Sequence, residues 1–229
     1  MKKFTPIFFT LIFIMNLSEL HTQDWPNLNK YKSQNEQLKS SKNTENRVVF
    51  MGNSITELWL NIHPEFFNGK NYINRGISGQ TTPQMLIRFR QDVIDLSPRI
   101  VVILAGINDI AENTGPSSIE MIENNIISMV ELAKSNNIRV ILCSVLPAEK
   151  FPWSTKINPA EIVVNLNQKI KDYANKNNII YVDYFSKMAN KNNGMKEGLA
   201  NDGIHPNKSG YLIMEPILQK AINQLINDE

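Results

Sequence analysis

Val48-Val49-Phe50-Met51-Gly52-Asn53-Ser54-Ile55-Thr56 is the stretch that decides the fold. Four consecutive apolar residues read as a strand buried on both faces, and Gly52 ends the run at a sharp turn. The pattern recurs along the chain. Tyr72-Ile73-Asn74 is a weaker strand closed by Gly76, and Ile100 to Leu104 is a continuous, β-branched one. Arg139 to Val145 and Ile179 to Val182 complete five. Between them the apolar period lengthens to that of a helix. Thr82 to Leu96 carries Met85, Leu86, Phe89, Val93 and Leu96 at helical spacing, with Thr82 and Pro83 as cap and first-turn proline. Ser117 to Ser135, Pro159 to Asn175 and Asn207 to Leu225 read the same way. Strand-helix alternation with continuously apolar strands predicts a parallel sheet covered on both faces. Five strands in about 180 residues predict an open three-layer α/β/α sandwich, since an eight-stranded barrel takes about 250.

Composition excludes several functions. The 229 residues include 42% hydrophobic and 20% charged, ordinary values for a globular chain. A formal charge of +2 lacks the excess of Lys and Arg that marks a nucleic-acid binder. The single cysteine, Cys143, rules out an internal disulfide framework. Its apolar neighbours in the fourth strand predict that it is buried. Three histidines, His21, His63 and His205, leave little material for a metal centre. At the N-terminus Lys2 and Lys3 precede a mostly apolar run from Phe4 to Leu17. That run is short of the ~20 residues a bilayer span needs, and it fits an export signal over residues 1–22. Residues 23–46 are polar and predict a short helix around Leu28 to Leu38, then a linker.

In open parallel sheets, ligands bind beyond the carboxyl ends of the strands. Four segments with chemical potential lie there. Gly52-Asn53-Ser54 places a hydroxyl and its own backbone N–H at a helix N-terminus, where Ser54 is either a nucleophile or an ordinary cap. Asn74-Arg75-Gly76 offers the Gly76 N–H to a developing negative charge, unless the glycine serves only the turn. Ala105-Gly106-Ile107-Asn108 presents two amide N–H donors from Asn108, which also suit a loop satisfying its own backbone. Asp202-Gly203-Ile204-His205-Pro206 places a carboxylate three residues before an imidazole. There Asp202 can hold Nδ1–H and leave Nε2 of His205 as a base, although turn chemistry favours the same residues. A nucleophilic serine needs a base. His205, with Asp202, is a better candidate than His63, whose near carboxylate in sequence is Glu65.

These segments, in this order, resemble the SGNH hydrolases, also called GDSL hydrolases, over about Val48 to Leu225. The resemblance implies Ser54 as nucleophile, Asp202 and His205 as its partners, and an oxyanion hole of Ser54, Gly76 and Asn108. It also implies a flavodoxin-like five-stranded sheet, no metal and no cofactor, with the hydrolase domain over residues 47–229. One departure is Asn53, where the family carries Asp. The Gly-x-Ser-Ile-Thr-Glu-x-Trp stretch from Gly52 to Trp59 resembles an acetylesterase and acylhydrolase branch. The expected substrate is thus a small-molecule or glycan ester, and the expected location periplasmic or extracellular, with no nucleic-acid partner and no membrane span in the mature protein. Trp153 and Phe151 are candidate substrate contacts, whereas Trp59 reads as core. A lysophospholipase or thioesterase, and a non-catalytic glycan-binding protein on the same fold, are the alternatives.

Overall fold

The strands β1 (Val48–Gly52), β2 (Tyr72–Gly76), β3 (Ile100–Leu104), β4 (Arg139–Cys143) and β5 (Ile180–Val182) form one parallel sheet in the order β2-β1-β3-β4-β5. This is a computed structural model, and it describes residues 24–41, 44–154 and 156–227. The proposed export signal lies outside the described residues. The helices are α1 (Lys32–Ser40), α2 (Ser54–Ile62), α3 (Thr82–Asp92), α4 (Ile107–Ile110), α5 (Ile119–Ser135), α6 (Pro159–Lys176), α7 (Phe185–Met188) and α8 (Lys208–Asn227). α2 packs on β1 and β2 and α8 on β4 and β5, while α3, α5 and α6 follow one another across the opposite face. Every residue of β1 and β3 is buried, as two-sided coverage of a parallel sheet requires.

The apolar side chains explain the layers. Trp59 is 2% exposed and stacks between Phe66 and Tyr211, with ring centroids 5.0 Å away in both cases. Phe50 and Phe67 close the cluster edge-on to Trp59, so β1, α2 and α8 share one aromatic core. Cys143 is buried in β4, and desolvation pushes its thiol pKa up to about 12.

Local chemistry moves some boundaries. The helix expected from Leu28 begins at Lys32, because the Asp24 carboxylate accepts the Leu28 and Asn29 N–H groups and holds a turn there. The helix expected to run to Leu96 stops at Asp92. A 3-10 turn over Ile94–Leu96 follows, and Ser97 adopts a left-handed φ of 49° ahead of Pro98. Its N-cap is Thr81 rather than Thr82: the Thr81 N–H donates to Gln84 Oε1 at 3.0 Å. The Thr82 hydroxyl turns instead to Asp109.

The N-terminal segment is bonded into the domain. Asn35 is 3% exposed on α1; its Nδ2 donates to Asp92 Oδ1 (2.6 Å), and its Oδ1 accepts Arg75 Nε (3.0 Å) and an Arg75 terminal nitrogen (2.8 Å). Asp92 also pairs with Arg88 at 3.0 Å, and both side chains are shut away from solvent. Removing one partner of such a pair leaves a buried charge uncompensated. Arg88→Leu is therefore expected to lower the unfolding free energy by about 3–5 kcal/mol. Urea denaturation checks this, and a change below about 1 kcal/mol would show that the pair carries little of the fold.

Candidate active site

The strand register assembles the site. Gly52 at the end of β1 lies opposite Gly76 on one side and Leu104 on the other. The loops leaving β1, β2 and β3 therefore start at one level, at the point where the strand order reverses. Ser54 opens α2 directly after Gly52. Asn53 caps that helix, its Oδ1 accepting the Ile55 N–H at 3.0 Å. The Ser54 N–H, in the first turn of that helix, is one of the N–H groups that lack an intrahelical acceptor.

His205 arrives from the other end of the chain, on the turn before α8. Ser54 Oγ lies 2.9 Å from His205 Nε2, although the two residues are 151 positions apart. His205 Nδ1 lies 2.6 Å from Asp202 Oδ2. An ionised carboxylate only accepts, so Nδ1 carries the proton and Nε2 faces Ser54 as an acceptor. Asp202 Oδ1 accepts the Ile204 N–H at 2.9 Å and the His205 N–H at 2.7 Å. Partial burial raises the Asp202 pKa, but the bonds from the His205 ring and these two N–H groups outweigh it and hold the carboxyl below its usual range.

Asn108, on α4, is 7% exposed. Its Nδ2 donates one hydrogen to the Gln80 carbonyl at 3.0 Å and keeps a second. Asp109 beside it is 1% exposed and accepts both the N–H and the hydroxyl of Thr82, tying α4 to the start of α3. Burial drives its pKa up to about 6 against those bonds.

The Gly76 N–H, the expected oxyanion donor, is already engaged. It donates to Asn74 Oδ1 at 2.9 Å. A Cβ there would fall 2.2 Å from the Glu57 backbone nitrogen, so the missing side chain lets α2 lie against β2. The next loop holds a better donor. The Ile77 N–H goes to Gly52, the Ser78 N–H to Glu57 Oε2 and the Gln80 N–H to Ile77. The Gly79 N–H has no acceptor among the described residues, at a left-handed φ of 78° that suits glycine.

The remaining candidates separate. Phe151 is 2% exposed and lies under Trp153, which is 52% exposed, with ring centroids 5.3 Å apart. His63 is remote from this rim, at the far end of α2, where its Nδ1 lies 2.6 Å from Glu215 of α8. An open groove of about 470 Å³ leads away from the His205 side between Leu58 and Ile62 of α2 and Pro206. Among the described residues no cluster of His, Cys, Asp or Glu is suited to hold a metal ion.

Some functional residues were not read from the sequence. The Ser78 N–H and hydroxyl both donate to Glu57 Oε2 at 2.6 Å, so Glu57 holds the loop bearing Gly79. Arg88 reaches Gln80 Oε1 and the Gly52 carbonyl. A signal for Arg88 was present: it lies four residues before Asp92, on the same helical face as Met85 and Phe89.

Comparison with known proteins gives the family and the fold. The model of the GDSL-like lipase/acylhydrolase family matches residues 50–213. A crystal structure of a candidate acylhydrolase from Bacteroides fragilis is 50% identical, with a TM-score of 0.87 over 90% of this chain and 100% of that one. A GDSL-like lipase from Bacteroides thetaiotaomicron is 48% identical, with a TM-score of 0.84 over 87% and 98% of the two chains. The uncharacterized lipoprotein YqeF of Bacillus subtilis is 32% identical over 93 residues, 39% of this chain and 38% of its own length.

Asn53 is open to a direct test. Asn53→Ala removes the α2 cap and is expected to cost about 0.5–2 kcal/mol of stability, with a fall in turnover as the Ser54 turn loosens. Asn53→Asp keeps the acceptor oxygen and is expected to match or exceed the parent in both. Thermal unfolding and ester hydrolysis measured on the same preparations check it; a large loss in Asn53→Asp would show a turn built around the neutral amide.

Proposed function

Because the chain belongs to the GDSL-like lipase/acylhydrolase family and is a carboxylic ester hydrolase, we propose that Ser54, His205 and Asp202 form its catalytic triad and that it cleaves short-chain acyl esters, above all acetyl esters, on carbohydrate. The observation that carries the triad is the 2.9 Å contact between Ser54 Oγ and His205 Nε2, backed by Asp202 at 2.6 Å. His205 Nε2 takes the Ser54 proton as Oγ attacks the ester carbonyl carbon. The carbonyl oxygen gains the negative charge. The Ser54 N–H, the Gly79 N–H and the second Asn108 amide hydrogen stabilise it. The tetrahedral intermediate collapses, the bond to the alcohol oxygen breaks, and the imidazolium protonates that oxygen. His205 then deprotonates a water molecule, which attacks the acyl-serine and releases the carboxylic acid. Asp202, held as a carboxylate, stabilises the imidazolium in both halves.

Two features support a polar acceptor. Trp153 stands exposed on its Phe151 support in the loop after β4, and Lys187 to Asn201 is largely polar. In the same reading, residues 1–22 direct the chain to the periplasm or the cell exterior. Among the described residues no helix is long and apolar enough to cross a membrane. The groove at Leu58 and Ile62 favours a second reading, an acylhydrolase for longer chains of the lysophospholipase or thioesterase kind. Each buried methylene would contribute about 0.8 kcal/mol to holding such a chain.

Ser54→Ala is expected to abolish hydrolysis of p-nitrophenyl acetate while the protein stays folded. Asn108→Ala is expected to lower kcat about 10²–10³-fold with a much smaller change in KM, the mark of an interaction made in the transition state. A change confined to KM would make Asn108 a binding residue only. Chain length separates the two readings: kcat/KM is expected to be highest for the two-carbon p-nitrophenyl ester and to fall beyond about four carbons, since little buried apolar wall is offered. A preference for the eight-carbon ester would overturn the acetyl reading in favour of the apolar groove.

A further inference from the structure

The site has a second cavity of opposite character, and one of its walls, the segment bearing Asp24, Trp25 and Asn27, comes from outside the family-matched residues. A pocket of about 450 Å³ opens between the N-terminal segment and the loop after β2, lined by Trp25, Asn27, Ser78, Gln84, Asn113 and Thr114. Gly79 and Gln80 also border it. Gln80 is the residue whose carbonyl fixes the Asn108 amide, so the pocket and the proposed oxyanion donors share one loop. From this placement we infer that Trp25 and its pocket are a carbohydrate subsite, holding a sugar ring of the esterified substrate next to the reacting acyl group. The inference rests on the esterase reading above and deepens it.

Three details point to a sugar. First, Trp25 is held like a platform. The side-chain amides of Gln84, Gln80 and Gln91 donate to the backbone carbonyls of Trp25 (2.6 Å), Pro26 (2.7 Å) and Leu28 (2.8 Å). The ring is left 41% exposed, and its N–H donates to no described residue. An exposed indole on an anchored backbone offers a large apolar face, matched to the C–H face of a pyranose or furanose ring. Second, the polar groups around it supply both donors and acceptors. Asn113 Nδ2 donates to the Gly79 carbonyl at 3.1 Å, and its oxygen accepts from no described residue. The Asn27 side chain makes no hydrogen bond with the described residues. Sugar hydroxyls donate and accept alike. Third, among the described residues no Lys or Arg lines the pocket and Asp24 does, which disfavours a phosphate or carboxylate ligand, and its polar rim disfavours an acyl chain. The apolar groove on the His205 side is the complementary cavity.

The test compares the full chain with Trp25→Ala and Trp25→Phe on acetylated xylotetraose and on p-nitrophenyl acetate. The ratio of kcat/KM for the sugar ester over the nitrophenyl ester is expected to fall about tenfold or more in Trp25→Ala, through KM, and to recover in Trp25→Phe. A ratio unchanged within about twofold overturns the subsite, because a merely structural loss would lower both substrates together. Hydrolysis of p-nitrophenyl acetate with none of acetylated xylotetraose also overturns it and leaves the esterase reading standing. In the inactive Ser54→Ala protein, unacetylated xylotetraose is expected to quench tryptophan fluorescence, and the added Trp25→Ala change to remove the quench. That measurement decides the subsite even if no ester is cleaved, an outcome that overturns the esterase reading separately.

Discussion

The buried Arg88 guanidinium is the constraint on which the site's geometry depends. One terminal nitrogen donates to the Gly52 carbonyl at 3.0 Å, just before Asn53 and Ser54. Nε donates to Gln80 Oε1, whose own backbone carbonyl fixes Asn108. The other terminal nitrogen is neutralised by Asp92. A single planar cation with five donors thus joins the Ser54 turn, the loop after β2 and α3. Its charge is stripped of water and repaid by these bonds, so any displacement of one loop is felt by the other. Asn35 bonds both Asp92 and Arg75 and brings α1 into the same network. That makes a polar segment outside the family-matched residues part of the site's support.

A second constraint brings His205 to Ser54. The histidine lies on a turn, and turns alone hold position poorly. The helix that follows is locked to α2: Tyr211 stacks on Trp59, and its hydroxyl donates to the Ile55 carbonyl at 2.7 Å. Glu215 accepts from Trp59 Nε1 at 3.0 Å and meets His63 one turn further along α2. α2, which opens on Ser54, and α8, which follows the His205 turn, are therefore fastened at successive turns. His63, the other candidate base, takes part in this fastening.

Much of this was legible in sequence, for identifiable reasons. β1 and β3 were plain because full burial leaves no polar alternation to confuse the period, while β2, with Asn74 and Arg75, read as the weaker strand. Ser54, His205 and Asp202 stood out because each follows a strand end or precedes a helix, and the structure brings these three together. A glycine needed for close packing and one needed to expose an N–H look alike in sequence; at Gly76 the Asn74 bond and the approach of Glu57 favour packing. The helix start at Lys32 was missed because Asp24 competes for the backbone through its side chain. The Trp25 pocket was invisible because its walls are far apart in the chain and meet only through glutamine side chains bonded to backbone carbonyls.

The most direct measurement of the central claim is covalent capture. The native protein is treated with a fluorophosphonate, and the labelled peptide is identified by mass spectrometry. An activated serine paired with His205 is expected to carry one phosphonyl group on Ser54, and the label is expected to vanish in His205→Ala and after heat denaturation. An unlabelled native protein, or a label on any other serine, would contradict the triad.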